Sequence, residues 1–174
     1  MPGAREVHSR GAAGAMRLLV VRCGPYKMGF PTGLVRGVVA PGEIVSLGLP
    51  DLEGLIWREG ALIPATRLAP LLGLTASGAD MSGHGVLIRS EEGLLCLLVD
   101  EALDLVEAPI ASVVSLPSLV KNVVTLEGVE SAVLAEEPLL IVDPVRLLGR
   151  DRVGGLMAAA ARMGNLGTAA EKSE

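Results

Sequence analysis

The residues best suited to chemistry are few in this chain. Histidine occurs only as His8 and His84, and cysteine only as Cys23 and Cys96. A serine nucleophile needs a neighbouring base, for which histidine is the usual choice. His84 lies in the Gly/Ser-rich stretch ASGADMSGHG, where a solvent-exposed loop residue is favoured over a ligand or general base. The sequence therefore favours a protein that is not an enzyme, with an unrecognised catalytic site as the alternative.

Two neighbouring carboxylates and the two thiols complete the list of candidates. Asp100 and Glu101 are adjacent, and adjacent side chains of a strand point to opposite faces, so we expect a polar strand end at which Asp100 caps the next turn. We expect Cys23 and Cys96 to be buried, reduced thiols rather than a disulfide. No cluster with metal-ligand spacing and no glycine-rich phosphate loop is present in the sequence, so neither a metal nor a cofactor is expected.

The composition of the chain limits the kinds of partner that it can bind. Half of the 174 residues are apolar and the mean hydropathy is +0.51, yet no apolar run reaches the roughly 18 to 20 residues of a membrane span. The apolar residues must therefore enter a core or meet a partner, and we expect a cytoplasmic protein without direct membrane insertion. The net charge of −5 and the presence of only three aromatic residues argue against nucleic-acid binding, which uses basic grooves and stacking aromatics.

The elements that carry these residues occur twice in the chain. LLVVRCGPYKMGFPTGLVRGVVAP (18–41) aligns without a gap with VLIRSEEGLLCLLVDEALDLVEAP (86–109), and a later block ends in Leu-Leu-Gly in both halves, at Gly73 and Gly149. Two blocks repeated in the same order indicate one domain built of two similar lobes. Each lobe is predicted to run strand, turn, strand, short helical segment, hairpin and short helix.

Local signals place the turns and helix ends. In Leu52–Leu74, Gly60 allows the positive φ of a hairpin tip, and Gly73 stands where a helix C-cap favours glycine. Thr32 is predicted to cap a short helix over Gly33–Val39, and Asp143 to cap the turn Pro144–Leu148.

These signals give the expected domain limits. We expect a disordered arm over residues 1–15, a domain over 16–150 with lobes at about 16–74 and 85–150, and a flexible tail over 151–174. Within the tail, the Ala-rich piece Leu156–Met163 is expected either to form a frayed helix or to dock on the body.

The repeated blocks resemble the CheW domain, the coupling module of bacterial chemosensory arrays. The resemblance rests on Gly54-Leu55-Ile56 to Leu74, on Leu97-Leu98-Val99-Asp100-Glu101-Ala102-Leu103, on Gly128-Val129, and on Leu140-Ile141-Val142-Asp143 to Leu148. It implies a mostly β fold of two intertwined five-stranded SH3-like barrels with short helices. It also implies a scaffold that joins the cytoplasmic tips of methyl-accepting chemoreceptors to the regulatory domain of the histidine kinase CheA, or CheW-like proteins to each other.

Several positions depart from the family pattern. Where the family usually reads Asn-Leu-Arg-Gly, this chain has Trp57-Arg58-Glu59-Gly60, which reverses a charge at Glu59; Gly37 follows Val35-Arg36 where the family tends to have Glu, and Arg67 replaces an Asp. These positions resemble partner contacts, and a charge reversal at such a contact alters partner choice. The candidate partner-binding residues are therefore Val35, Arg36, Gly37, Trp57, Arg58, Glu59 and Arg67.

Two functional hypotheses follow from the resemblance. The chain is either an adaptor that couples receptor to kinase, or a divergent adaptor that binds receptors or other CheW-like proteins and has lost the kinase. Trp57 is either a cap on the core of its own barrel or an exposed anchor for a partner. Arg36 and Arg58 are either partner contacts or ordinary solvated charges.

Overall fold

A computed structural model describes residues 14–47, 49, 52–74, 83–116 and 128–172. The expected loop at 111–125 and linker at 74–85 fall partly outside these residues, as does the expected arm, of which Ala15 already belongs to a strand. The strands are β1 Ala15–Cys23, β2 Tyr26–Pro31, β3 Val35–Val39, β4 Val45–Ser46, β5 Gly54–Arg58, β6 Ala61–Arg67, β7 His84–Ser90, β8 Gly93–Val99, β9 Glu101–Pro109, β10 Val113–Ser115, β11 Val129–Val133 and β12 Leu139–Val142. The α-helices are α1 Pro144–Leu148 and α2 Arg150–Lys172.

The two repeats exchange their first hairpins. Sheet 1 has the order β10-β11-β12-β2-β1-β9, and sheet 2 has the order β3-β7-β8-β6-β5-β4. The hairpin β1–β2 of the first repeat thus joins strands of the second, and β7–β8 of the second joins strands of the first. This arrangement confirms the expected mostly β fold of two intertwined lobes, each with a sixth, short strand.

The strand pairings follow the repeat. In sheet 1, β1 pairs with β9 and β12 runs parallel to β2; in sheet 2, β7 pairs with β3 and β6 runs parallel to β8. Both antiparallel pairs contain a register shift, between Val20 and Val21 in β1 and between Val35 and Gly37 in β3. Equivalent pairings in both sheets show that the sequence repeat is a repeat of structure.

Three clusters of buried side chains hold the sheets together. The sheet 2 interior consists of Val39, Ile44, Ile56, Ile63, Ala65, Leu87 and Cys96. The smaller sheet 1 interior consists of Leu18, Ala108, Val133 and Ile141. Between the sheets lies a central core, to which sheet 1 contributes Phe30, sheet 2 contributes Leu95, and the helices contribute Leu148 and Leu156. Because alternate side chains of a strand face opposite ways, each sheet serves its own interior and the central core.

The helix expected over Gly33–Val39 is wrong. A 3-10 turn, Thr32–Leu34, is followed by strand β3. Three of the five β3 residues are valines, which are restricted at χ1 and favour strands, and the open edge of β7 supplies hydrogen-bond partners. Further 3-10 turns occupy Pro41–Glu43, Ala69–Leu72 and Ile110–Ser112.

The end of the described chain is helical, and α2 includes the piece Leu156–Met163, for which the sequence predicts either a frayed helix or docking on the body. Asp143 caps α1 as expected, because its Oδ1 accepts hydrogen bonds from the backbone N–H groups of Val145, at 3.0 Å, and Arg146, at 3.2 Å. In α2, Val153, Leu156 and Ala160 are buried in the central core. Their spacing of three and four residues puts them on one helix face, so docking on the sheets holds the helix in place.

Candidate partner-binding groove

Four of the seven candidate residues line one groove in sheet 2. The groove has a volume of 470 Å³ and is bordered by Arg36 and Gly37 from β3 and by Arg58 and Glu59 from the tip of the β5–β6 hairpin. These two pairs are separated in sequence by more than one strand, and the sheet brings them together. The other lining residues are Ala61, Leu62, Ile63, Leu87, Gly93, Leu94 and Met157.

The register shift in β3 determines where Arg36 points. Val35 pairs with Ile88 and Gly37 pairs with Leu87, which leaves Arg36 without a cross-strand partner in β7. A bulge of this kind bends the strand and redirects the extra side chain. Arg36 is exposed, and among the described residues its guanidinium takes part in no ion pair or hydrogen bond. It can therefore receive a carboxylate from a partner.

The β5–β6 hairpin closes through a two-residue tip with positive φ at both positions. Arg58 pairs with Ala61, and φ is 52° at Glu59 and 78° at Gly60. This combination is that of a type I′ turn, which matches the twist of the strands. The tip holds Arg58 and Glu59 at the rim of the groove. Arg58 makes a weak contact with Glu43, at 4.0 Å between two half-exposed side chains.

The floor of the groove is apolar. Ile63 and Leu87 belong to the sheet 2 interior, and Leu94 packs against it. Met157, from α2, forms part of the wall. The sequence does not single out Met157 as a site residue, although docking of Leu156–Met163 on the body is one of its two predicted outcomes. The position of Met157, one residue after Leu156 in an apolar pattern of helical period, is the available signal.

Three candidate residues lie outside the groove. Trp57 is 67% exposed, so it does not cap the core, but it precedes Arg58 in β5 and so projects from the opposite face of the strand. Val35 is half-buried against the central core. Arg67 forms an ion pair with Glu53 at 3.2 Å, with only 15% of its side chain exposed. The fold therefore splits the seven candidates into four groove residues, one exposed tryptophan and two residues packed against the chain itself.

His84 and Asp100 form hydrogen bonds that hold neighbouring strands together. The expectation that His84 is an exposed loop residue is wrong: it begins β7, and its Nδ1 accepts a hydrogen bond from the Ala102 backbone N–H at 3.1 Å. The Asp100 carboxylate accepts a hydrogen bond from the Gly24 N–H at 2.7 Å and lies 3.6 Å from Arg22. Asp100 thus ties the β1–β2 hairpin to the chain between β8 and β9.

Both cysteines are buried free thiols, as expected. The pKa of Cys23 is raised from 9.0 to about 11, chiefly by burial and also by the charge of Asp100, while the charge of Arg22 opposes the shift. Burial alone raises the pKa of Cys96 from 9.0 to about 12. A thiol with such a pKa stays protonated near neutral pH and is a poor nucleophile or metal ligand.

Within the part of the chain that the structure describes, no three or more His, Cys, Asp or Glu side chains lie close enough to hold a metal ion. None of the described helices has the length and apolar character needed to cross a membrane.

The chain thus consists of two intertwined sheets, one of which carries a groove with an apolar floor and two arginines at its rim. A family model described as the CheW-like domain matches residues 17–152. The chain therefore belongs to the CheW-like domain family, whose members are non-catalytic scaffolds of chemotaxis signal transduction.

A solved structure supports the fold. The chain is similar to the scaffolding protein TtCheW from Thermoanaerobacter tengcongensis, with a TM-score of 0.65 and 18% sequence identity, over 77% of this chain and 92% of that one. No curated protein matches the chain. Most of α2 lies beyond the segment that matches the family model.

Proposed function

We propose that this protein is a cytoplasmic scaffold of a chemosensory array, which couples the tips of methyl-accepting chemoreceptors to a CheA-type histidine kinase. Coupling in such a scaffold needs no chemistry of its own, because a difference in binding between two signalling states is enough to transmit the signal. Membership of the CheW-like family supports this proposal. We retain residues 16–150 as the proposed scaffold domain.

The observation that carries the proposal is the convergence of Arg36 and Gly37 with Arg58 and Glu59 around one groove. All four are positions that resemble partner contacts, and Gly37, Arg58 and Glu59 also depart from the family pattern. An apolar floor with a charged rim fits the anatomy of protein interfaces, in which a desolvated centre supplies affinity and the rim supplies orientation. Trp57, exposed on the other face of the same hairpin, is proposed as a second anchor, and Val35 and Arg67 as residues that position β3 and β6.

Titration calorimetry tests the proposal. The full chain is titrated with a receptor tip fragment and, separately, with the regulatory domain of the cognate CheA. We expect binding to both. Arg36→Glu and Trp57→Ala should each weaken binding of at least one partner by about tenfold or more, while Ala158→Glu, on an exposed part of α2, should change nothing. Failure of the wild type to bind either fragment would overturn the proposal.

Substitution of Glu59 distinguishes a scaffold that binds the kinase from one that has lost kinase binding. If the partners have adapted to the reversed charge, Glu59→Arg weakens kinase binding; if kinase binding has been lost, Glu59→Arg restores it. A scaffold that binds only the receptor would be an array spacer or a receptor recruiter.

A second candidate function, binding to other CheW-like proteins, is favoured by the repeat. In the sequence alignment of the two repeats, Asp104 and Leu105 of β9 align with Arg36 and Gly37 of β3. Leu105 is 64% exposed. One edge is thus acidic and apolar, and its counterpart is basic, so the edge β9 of one copy complements the edge β3 of another.

Sedimentation velocity at low and high salt tests this candidate. Self-association at low salt should disappear in Asp104→Arg and return when Asp104→Arg is mixed with Arg36→Asp. A monomer at every concentration and salt would rule it out.

A further inference from the structure

Helix α2 is attached to the body of the protein at three levels. Val153, Leu156 and Ala160 enter the central core. At the start of the helix, Arg150 lies 3.8 Å from Glu91 in the β7–β8 hairpin tip, although both side chains are largely exposed. Near the middle, a methyl group placed on Gly164 would lie 3.6 Å from Leu62 of β6. The helix therefore has a fixed position beside the groove.

Met157 is the side chain that this position presents to the groove. It is half-buried, it packs at the edge of the central core, and it lines the same cavity as Arg58 and Leu94. A methyl group on Gly93 would lie 3.6 Å from Met157 Cε, so the thioether lies over the tip of the β7–β8 hairpin. The groove is thus lined by residues of five strands, β3 and β5 to β8, and by Met157 of the helix.

We propose that Met157 is a specificity-determining contact, against which the partner seats an apolar side chain next to a carboxylate that pairs with Arg36. This inference rests on the proposed function and adds to it a contact from α2, most of which lies outside the segment matching the family. Methionine is flexible and polarisable, and it fits apolar surfaces of varied shape. Scaffolds with the same groove but another residue at this position would prefer other partners.

The residues that line the groove indicate what kind of partner segment binds there. Ile63, Leu87, Leu94 and Met157 offer an apolar floor and wall. At the rim, Arg36 and Arg58 outnumber Glu59, so an acidic partner segment is favoured over a basic one. A partner segment that carries an apolar anchor with a flanking Asp or Glu satisfies both features, as in the binding of amphipathic helices to grooves.

Point substitutions test the contact, because removal of α2 would expose the central core. The receptor tip fragment and the CheA regulatory domain are titrated with Met157→Ala, Met157→Leu and Met157→Glu. We expect Met157→Ala to raise the Kd of the partner that occupies the groove by about tenfold. Met157→Leu, which keeps the volume, should bind within about twofold of the wild type, and Met157→Glu should bind most weakly. The matched control is Ala158→Glu on the exposed side of α2.

A label placed at the same site gives a second measurement. Both native thiols are buried, so Met157→Cys can be labelled selectively with a polarity-sensitive fluorophore. Its emission should shift to the blue when the partner binds, whereas the emission of labelled Ala158→Cys should not change.

The outcomes separate the two proposals. Wild-type binding with equal affinity of Met157→Ala and Met157→Glu, together with an unchanged label, would overturn the role of Met157 and leave the scaffold function standing. Absence of wild-type binding to either fragment would overturn both. Thermal unfolding of each variant separates a lost contact from a lost fold.

Discussion

Glu59, at the tip of the β5–β6 hairpin, affects both partner binding and the stability of the backbone. Glu59 lies at the rim of the groove, where its charge bears on partner choice, and it also occupies the left-handed backbone region with φ at 52°. A residue with a side chain other than Asn, Asp or Gly pays about 1 kcal/mol for this conformation. Stability and recognition at Glu59 can therefore be separated by mutation.

Glu59→Asn should stabilise the protein by about 0.5 to 1 kcal/mol, because Asn-Gly is a favoured pair for a type I′ turn. Urea denaturation measures the change. Glu59→Arg is the control, since it changes the charge without relieving the backbone. A loss of stability in Glu59→Asn would mean that the Glu59 side chain makes a contribution that exceeds the backbone cost.

The buried thiols make stability sensitive to alkaline pH. With pKa values of about 11 for Cys23 and about 12 for Cys96 in the folded chain, both stay protonated while the thiols of the unfolded chain ionise near pH 9. Proton binding to the folded state then exceeds that to the unfolded state above pH 9. Their contribution is fully present below pH 9 and is lost as pH rises toward the folded pKa values.

Between pH 8 and pH 10, the two thiols should together lower the free energy of unfolding by about 2 to 3 kcal/mol. Urea denaturation at both pH values measures this, with the double variant Cys23→Ala, Cys96→Ala as the control. The double variant should be less stable than the wild type at pH 8. Its free energy of unfolding should fall by less than that of the wild type between pH 8 and pH 10. Equal losses in both proteins would show that other groups cause the alkaline transition.

At the scale of elements, β7 is the strand that closes sheet 2. It joins β3 to β8, and Gly85 lies where these strands pack most closely: a methyl group there would be 2.5 Å from both Cys96 Sγ and Val39 Cγ2. The absence of a side chain at Gly85 is therefore a packing requirement of the sheet 2 interior. On α2, Gly155 faces open space, with nothing within 4 Å of an added methyl group.

Gly85→Ala should destabilise the protein by about 1 to 3 kcal/mol, because the interior would be overpacked. Gly155→Ala should instead stabilise the protein by about 0.5 to 1 kcal/mol, since alanine has a higher helix propensity than glycine at an exposed helical position. Denaturant midpoints of the two variants test the pair. A gain in stability for Gly85→Ala would show that the strands move apart to admit the methyl group.

At the scale of the whole molecule, the exchange of hairpins makes the two halves of the chain interdependent. Sheet 2 takes β7 and β8 from the second half, and sheet 1 takes β1 and β2 from the first. The central core contains residues of both sheets and both α-helices. Neither half can bury its apolar residues alone.

A fragment of residues 1–78 and a fragment of residues 79–174 should each remain unfolded alone and should form the fold when mixed at equal concentration. Circular dichroism and two-dimensional NMR of the separate and mixed fragments test this, and unfolding of the intact chain should be one cooperative transition. A fragment that folds by itself would show that its half contains a complete core.

The sequence alone determined the repeat, the class of fold and the positions of the turns. Its apolar blocks recur because the strands of both halves pack in equivalent ways. Asp143, Gly60 and Gly73 could be assigned because caps and turns depend on local backbone geometry, which neighbouring residues specify.

Only the tertiary structure decided which hairpin joins which sheet, and thereby which candidate residues meet. Pairing between distant strands leaves no local signal, so the sequence could not place Arg36 beside Arg58 or separate both from Arg67. It also could not show that β3 is a strand or that α2 docks, because the partner edge of β7 and the open face of the central core, rather than local propensity, stabilise those elements.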